Sequence, residues 1–201
     1  MRSRSSALYL LTPDGLARDD LFRRCRAALA AGVDWLQYRA KRGADSETAR
    51  RLRALTLETG ARLIINDDPA LAEAVGADGV HLGRDDGSLA EARDRLGPDA
   101  LIGVSCYDDL ERAERLAAGG ADYLAFGAVF SSPTKPDAVR CPLNVLGRAR
   151  RFGRPVIAIG GITAENAAEA LAAGADRVAV LSDVFDAPDV AVRVRAYPRS
   201  G

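Results

Sequence analysis

Histidine and cysteine are scarce in this chain of 201 residues, which limits the metal sites and disulfides that it can form. His81 is the single histidine, so a zinc site that needs several histidines has too few ligands. The cysteines are Cys25, Cys106 and Cys141, an odd number without CxxC spacing, which argues against a disulfide framework and a structural zinc site. We therefore expect a protein of the reducing cytoplasm.

The chain also lacks a charge excess and a long apolar run. Its 28 basic residues balance 28 acidic residues, so the composition does not indicate a polyanion such as nucleic acid as the main partner. No run approaches the roughly 18 apolar residues of a membrane span, and the apolar stretch near the start is too short for a signal peptide. We expect neither nucleic acid nor membrane as a partner, and the sequence leaves a homo-oligomer open.

One pattern recurs four times along the chain. Helix-forming residues are followed by a glycine, an aspartate two positions on and an apolar run, in segments 29–37, 71–82, 116–126 and 171–180. The glycine can take the left-handed conformation that ends a helix, and the apolar run suits a strand buried on both faces. The pattern therefore predicts the joint between a helix and a strand of a parallel sheet.

Eight strand-like runs alternate with helical stretches. The strands are expected at 7–11, 34–38, 62–66, 79–82, 101–105, 123–127, 155–160 and 177–181, and the helix caps at Asp68 before Pro69, at the Ser88–Glu91 capping box and at Thr163. Eight βα units without a composition break predict an α/β fold, a single (β/α)8 TIM barrel over residues 1–201. A doubly wound open sheet is the alternative, disfavoured because no GxGxxG follows the first strand.

Polar side chains follow two neighbouring strands. The run LIINDD ends in Asn66, Asp67 and Asp68, and the next strand is followed by Asp86. In a TIM barrel the active site lies at the carboxyl ends of the strands, so Asp67 and Asp86 should converge there, with Asp68 capping a helix. Two carboxylates near several cations suggest Mg²⁺ shared with a phosphorylated substrate. The alternative is that both aspartates merely cap helices.

Lysine occurs only at Lys41 and Lys135, although 28 residues are lysine or arginine. Both lysines lie just beyond a strand, where a compact ammonium can serve phosphate binding or act as an amine nucleophile. The simpler explanation is that the two lysines stand on solvated loops by chance and have no function. With Arg39, the two lysines form a cluster with enough charge for a diphosphate.

A second, neutral phosphate site is expected after strands seven and eight. Residues 160–162 read GGI before a helix, and Ser182 follows strand eight. Glycine lets backbone amides approach a ligand closely, and TIM barrels commonly bind phosphate in this position. The neutral cradle suits a monophosphate.

Seven short motifs occur in order at the expected strand ends. They are QYRAK at 37–41, IND at 65–67, ADGVHLGRDD at 77–86, GVS at 103–105, SSPTK at 131–135, IGGI at 159–162 and LSD at 181–183. Over nearly the whole chain, this set resembles the thiamine phosphate synthase family. The resemblance implies a transferase of thiamine biosynthesis that joins two phosphorylated heterocycles, hydroxymethylpyrimidine diphosphate and thiazole phosphate, and releases diphosphate with the help of Mg²⁺.

The same resemblance assigns roles to residues at the strand ends. The pyrimidine diphosphate would contact Gln37, Arg39, Lys41, Asn66, Ser105 and Lys135, of which Arg39, Lys41, Ser105 and Lys135 are the catalytic set. The magnesium ion would be held by Asp67 and Asp86. The thiazole phosphate would contact Ser132, Thr134, Gly161, Leu181 and Ser182.

Some residues depart from the family pattern or carry a simpler interpretation. Arg84 stands where the family usually has glutamine, so that it could pair with Asp86 or contact diphosphate. We interpret His81 as a packed structural histidine rather than a catalytic one, and Cys106 as a small barrel residue rather than a nucleophile.

Other functions stay open. A thiazole tautomerase of the same barrel family would not need the metal and diphosphate apparatus. A Schiff-base aldolase would use Lys41 or Lys135 as its nucleophile. A catalytically silent barrel would only bind thiazole phosphate or thiamine phosphate.

Overall fold

Eight parallel strands close into a barrel in the computed structural model, which describes residues 6–41, 43, 45–131 and 140–199. Each strand pairs with its neighbours in chain order, and the last pairs with the first. The strands are β1 Leu8–Leu11, β2 Trp35–Tyr38, β3 Arg62–Asn66, β4 Gly79–Leu82, β5 Leu101–Tyr107, β6 Tyr123–Phe126, β7 Val156–Ile159 and β8 Arg177–Val180.

Helices surround the barrel and follow the strands in the expected alternation. They are α1 Arg18–Ala30, α2 Ser46–Thr59, α3 Pro69–Val75, α4 Leu89–Leu96, α5 Leu110–Ala118, α6 Asn144–Ala149 with a 3₁₀ turn at Arg150–Phe152, α7 Ala167–Ala172, α8 Ser182–Phe185 and α9 Val190–Arg195. Within the described ranges, none of the helices is both long and apolar enough to cross a membrane.

The predicted TIM barrel is confirmed, and closure of the sheet excludes the doubly wound alternative. The strand bounds agree with the expected runs to within two residues, the largest difference being the extension of β5 to Tyr107. The cap at Asp68 is present, with its Oδ1 accepting the N–H of Leu71 at 2.8 Å. The Ser88–Glu91 capping box is also present.

The cap predicted at Thr163 is wrong. Helix α7 begins only at Ala167, after Asn166. The side-chain Oδ1 of Asn166 accepts the N–H of Thr163 at 2.8 Å and so stabilises a turn ahead of the helix. The carbonyl of Thr163 accepts the N–H of Asn166 at 3.3 Å and of Ala167 at 3.0 Å, so a separate backbone turn precedes the helix.

The repeated aspartates have a structural task at the amino-terminal end of the barrel. Three of them accept a backbone N–H near the start of the preceding odd-numbered strand at 2.7 to 2.8 Å and also pair with an arginine: Asp78, Asp122 and Asp176. The fourth, Asp34, holds Arg177 through two bonds of 2.7 and 2.9 Å. These pairs tie the helix-to-strand joints to the barrel, so this end serves stability.

Side chains inside the barrel form a packed column separate from the layer between strands and helices. Tyr9, Ile64, Tyr123 and Ile157 belong to this interior column and are almost completely buried. The rings of Tyr9 and Tyr123 meet edge to face, with centroids 5.9 Å apart. The column fills the barrel interior beneath the carboxyl ends of the strands and supports them.

Candidate active site

The carboxyl ends of the strands carry an acidic pair. The backbone N–H of Asp67 donates to the carbonyl of His81 at 2.8 Å, joining the ends of β3 and β4. Asp86 accepts the N–H of Gly83 at 2.8 Å, which folds its side chain back over the end of β4. Burial raises the pKa of Asp86, and a hydrogen bond with Asp67 and the like charge of Asp67 raise it further. The two carboxylates therefore meet, and their repulsion calls for a proton or a cation between them.

The backbone of Asp67 is itself unusual. Its φ is 65°, in the left-handed region that residues other than glycine seldom adopt and that aspartate tolerates better than most. Non-glycine residues held in this region cluster at functional sites, where the surrounding structure maintains a costly conformation. The conformation turns the chain directly after a buried strand and marks Asp67 as a candidate functional residue.

Two of the predicted cations converge on the rim of the barrel, which is formed by the carboxyl ends of the strands and the loops that follow them. The Nζ of Lys41 lies 2.6 Å from Oδ2 of Asp67, and the guanidinium of Arg39 lies 2.6 Å from Oδ2 of Asp14. Asp14 also accepts the N–H of Lys41 at 2.8 Å, so it fixes the loop after β2 through side chain and backbone together. Sequence reasoning missed Asp14, although its place just after β1 could have indicated a rim residue.

Gln37, Asn66 and Ser105 complete the described part of the predicted pyrimidine diphosphate set. Gln37 on β2 is 2% exposed, whereas Asn66 at the end of β3 and Ser105 on β5 are half-buried. Ser105 hydrogen-bonds Nε2 of His81 at 2.9 Å. Its carbonyl accepts from Nε of Arg112 at 2.8 Å, which links the strand to the following helix. These contacts hold Ser105 at the rim.

His81 is buried inside the barrel and packs there as expected. Its ring stacks on Tyr123, with centroids 5.6 Å apart, and its Nδ1 lies 3.1 Å from the Tyr123 hydroxyl. Burial lowers the pKa of His81 to about 4, so the ring is neutral near neutral pH. The side chain also contacts Ser105, so its packing role extends to a predicted substrate residue.

The glycine loop after β7 packs against the chain that follows β6. Gly161 has φ 65°, and a Cβ there would come within 2.4 Å of the carbonyl oxygen of Ser131. Asn166 donates to the carbonyl of Gly161 at 3.0 Å and so holds the loop. Leu181 directly precedes α8, and Ser182 is its first residue. Asp183 in α8 accepts the N–H of Ala164, just after the glycine loop, at 3.3 Å. Because the first N–H groups of a helix have no partner within it, Ser182 begins a row of backbone donors near that loop.

Several sequence predictions fall elsewhere. Ser132, Thr134 and Lys135 lie outside the described residues. The guanidinium of Arg84 lies over the ring of Tyr107, 4.8 Å from its centroid, and among the described ion pairs it does not join Asp86, contrary to one expectation. The Cys106 thiol is fully buried, and burial raises its pKa to about 12, which agrees with a packing role.

An open cavity of about 690 Å³ lies at the other end of the barrel. Its lining includes Trp35, Arg150, Arg154 and Arg177, and none of the predicted site residues. Arg177 is engaged by Asp34, and Arg150 by Asp176. The strained aspartate, the acidic pair and the converging cations all lie at the carboxyl ends of the strands, so we place the candidate site there.

Comparison with known proteins gives a consistent result. A family model described as thiamine monophosphate synthase matches residues 8–184. The chain is similar to the thiamine-phosphate synthase of Azoarcus sp. (strain BH72), with 56% identity over 98% of each chain. It is 52% identical to that of Chromobacterium violaceum, over 98% of this chain and 96% of the relative. A solved structure of thiamine phosphate pyrophosphorylase from Pyrococcus furiosus matches with TM-score 0.82 and 36% identity, over 94% of this chain and 92% of the other.

Proposed function

The chain belongs to the thiamine monophosphate synthase family, and we propose that its rim joins hydroxymethylpyrimidine diphosphate to thiazole phosphate, giving thiamine phosphate and diphosphate. It is thus a transferase of thiamine biosynthesis. The observation that carries the detailed assignment is the meeting of Asp67, Asp86 and Lys41 at the carboxyl ends of neighbouring strands. Opposed carboxylates beside an ammonium suit a cation and a phosphorylated ligand together.

We assign Asp67 and Asp86 as the residues that would hold Mg²⁺. The fit rests on charge, because Asp86 is partly buried against another carboxylate and has a raised pKa. Carboxylate oxygens are the protein ligands that Mg²⁺ prefers, usually one or two of them beside water and phosphate oxygens. A bound Mg²⁺ would offset negative charge on the departing diphosphate.

The cations of the rim would bind the diphosphate and stabilise it as it leaves. Lys41 and Arg39 are held in place by Asp67 and Asp14, so little reorganisation is needed when charge develops. Ser105 would contribute a hydrogen bond, and Lys135 a further charge. The nitrogen of the thiazole already carries its lone pair, so the bond to the pyrimidine methylene carbon can form without a general base.

The thiazole phosphate would bind on the neutral side of the rim. The loop at Gly161 and the N–H groups at the start of α8 present backbone groups, and the one charged side chain in the first turn, Asp183, is paired with Arg193 at 2.7 Å. We propose that these groups, with Leu181, Ser132 and Thr134, receive a monophosphate. A neutral cradle beside a cationic one would distinguish the monophosphate from the diphosphate.

The alternatives account less well for the rim. A thiazole tautomerase has no need of two opposed carboxylates beside Lys41, and a silent binding barrel would not need to maintain Asp67 at φ 65°. An aldolase would need a free amine, whereas the Lys41 ammonium is engaged by Asp67 at 2.6 Å. We also propose a cytoplasmic location, supported by three buried cysteines that all remain free.

The direct test mixes the purified protein with both phosphorylated heterocycles and Mg²⁺ and measures thiamine phosphate by chromatography. We expect product only when both heterocycles are present, and far less after chelation of the metal. Absence of product in the complete mixture would contradict the assignment. Conversion of the thiazole phosphate alone into a tautomer would favour the tautomerase, and borohydride trapping of a carbonyl substrate would favour the aldolase.

A further inference from the structure

We propose that a hydrogen-bond chain through the barrel interior makes Ser105 a hydrogen-bond donor towards the substrate, with Tyr9 and Tyr123 as positioning residues. The interior chain consists of Gln37, Tyr9, Tyr123, His81 and Ser105. The proposal rests on the proposed function in one respect, the assignment of Ser105 to the diphosphate. The direction of the hydrogen bonds along this interior chain can be measured without any substrate.

The interior chain is continuous and crosses five strands. Gln37 Nε2 lies 2.7 Å from the Tyr9 hydroxyl, and the Tyr9 and Tyr123 hydroxyls are 2.9 Å apart. The Tyr123 hydroxyl lies 3.1 Å from Nδ1 of His81, whose Nε2 lies 2.9 Å from Oγ of Ser105. The first four members are 8% exposed or less. Each link is within normal hydrogen-bond distance, so the five groups must agree on one direction of donation.

The amide at one end sets that direction. Gln37 presents Nε2 to Tyr9, and an amide nitrogen can only donate. Tyr9 therefore accepts from Gln37 and gives its one hydrogen to Tyr123, which in turn donates to Nδ1 of His81. Burial raises the pKa of both phenols, so both keep their hydrogen.

The imidazole transmits the direction to Ser105. A neutral ring whose Nδ1 accepts carries its hydrogen on Nε2, so His81 donates to Oγ of Ser105. The hydroxyl hydrogen of Ser105 is then free of the interior chain and can turn to a ligand. Diphosphate oxygens at the leaving position accept hydrogen bonds, so this orientation matches the proposed substrate. Had the amide presented its oxygen, Ser105 would donate to His81 instead.

The geometry leaves little freedom for the central tyrosine. A Cβ at Gly103 would lie 1.8 Å from Cζ of Tyr123, so the ring of Tyr123 occupies space that only glycine leaves open on β5. The same ring contacts Trp35 edge to face, with centroids 5.3 Å apart. Packing therefore holds the Tyr123 hydroxyl in line between Tyr9 and His81.

The orientation can be read directly because His81 is the single histidine of the chain. We expect ¹⁵N NMR of the ligand-free protein to show His81 as a neutral Nε2–H tautomer. Replacing Tyr123 by phenylalanine removes the donor to Nδ1, and we expect a measurable population of the Nδ1–H tautomer in Tyr123→Phe. An Nδ1–H tautomer or a charged ring in the unmodified protein would overturn the proposal, whatever its activity.

Kinetics separate positioning from simple structural damage. We expect Tyr123→Phe to lower kcat about tenfold, the effect of one weakened hydrogen bond in the transition state, with little change in KM for thiazole phosphate. In a double-mutant cycle, Tyr123→Phe should have little further effect once Ser105→Ala is present. Additive losses would contradict action through Ser105.

Two further variants complete the test. Tyr197→Phe is the matched control, since Tyr197 is buried and its hydroxyl donates to Asp183 outside the barrel interior. We expect it to leave both the His81 tautomer and kcat unchanged. If Tyr123→Phe does not fold, Gln37→Glu offers Tyr9 carboxylate oxygens in place of the amide N–H, so it should reverse the direction of donation and give the Nδ1–H tautomer. A single Nε2–H tautomer retained in Gln37→Glu would then count against the proposal.

Discussion

Replacing Asp67 by asparagine removes one negative charge from the rim while keeping the shape of the side chain. Asparagine also tolerates φ 65°, which alanine would not, so the variant isolates the charge from the backbone. We expect kcat to fall about 100- to 1000-fold, because one preorganised electrostatic contact commonly contributes about 3 to 4 kcal/mol in the transition state. Removal of a metal ligand and of the partner of Lys41 would both act in this direction.

Stability should respond very differently. The side chain of Lys41 is 53% exposed, so its ion pair with Asp67 contributes at most about 1 kcal/mol to folding. Asp86 is simultaneously relieved of a like-charged neighbour, which offsets that loss. We therefore expect the free energy of unfolding of Asp67→Asn to stay within about 1 kcal/mol of the original value. A large kinetic loss without a stability loss is the signature of a functional charge.

The assay follows thiamine phosphate formation across a range of Mg²⁺ concentrations, with urea unfolding of the same samples. Asp68→Asn is the matched control, because it removes the same charge one residue away while asparagine still caps α3. Full activity of Asp67→Asn at ordinary Mg²⁺ levels would refute the metal assignment. An equal loss of kcat in Asp68→Asn would show that activity depends on the total negative charge near the rim and not on Asp67 specifically.

The fold was predictable because its signals are local. A glycine that ends a helix, followed by an apolar run, specifies the same joint four times, and eight such strands can close only in a few ways. The failure at Thr163 is also local, since the sequence offers several capping residues and only the geometry shows that a turn at 164–166 precedes α7. Competing hydrogen bonds of similar energy cannot be ranked from sequence alone.

The rim residues of the candidate site could be predicted from the sequence more readily than the interior residues that support them. Asp67 and Asp86 lie within four residues of the ends of successive apolar runs, so their place in a barrel follows from the order of elements. The link between Tyr9 and Tyr123 joins positions 114 residues apart and depends on which face of each strand points inward. The period of two along a strand held part of this information, because Trp35 and Gln37 must share a face. Which pairs of inward residues touch is fixed only by barrel closure.

Three more perturbations test other parts of the structure. His81 has an ordinary pKa of 6.5 and a folded pKa of about 4, so between these values the unfolded chain binds a proton that the folded chain does not. The free energy of unfolding should therefore fall as pH drops through this window, and the fall should be smaller in His81→Asn, measured by urea titration. Gly161→Ala places a Cβ 2.4 Å from a backbone carbonyl, so KM for thiazole phosphate should rise, whereas Gly153→Ala, at a similar φ of 67° with open space, should leave KM unchanged. Asp122 accepts the N–H of Ile102 at 2.7 Å at the far end of the barrel. Asp122→Ala should lower the free energy of unfolding by about 1 to 3 kcal/mol, because it leaves that N–H without its acceptor. Since the interior column separates Asp122 from the rim, its kcat should hold below the unfolding transition, and a kcat loss as large as that of Asp67→Asn would contradict the division of the barrel into a stabilising end and a reactive end.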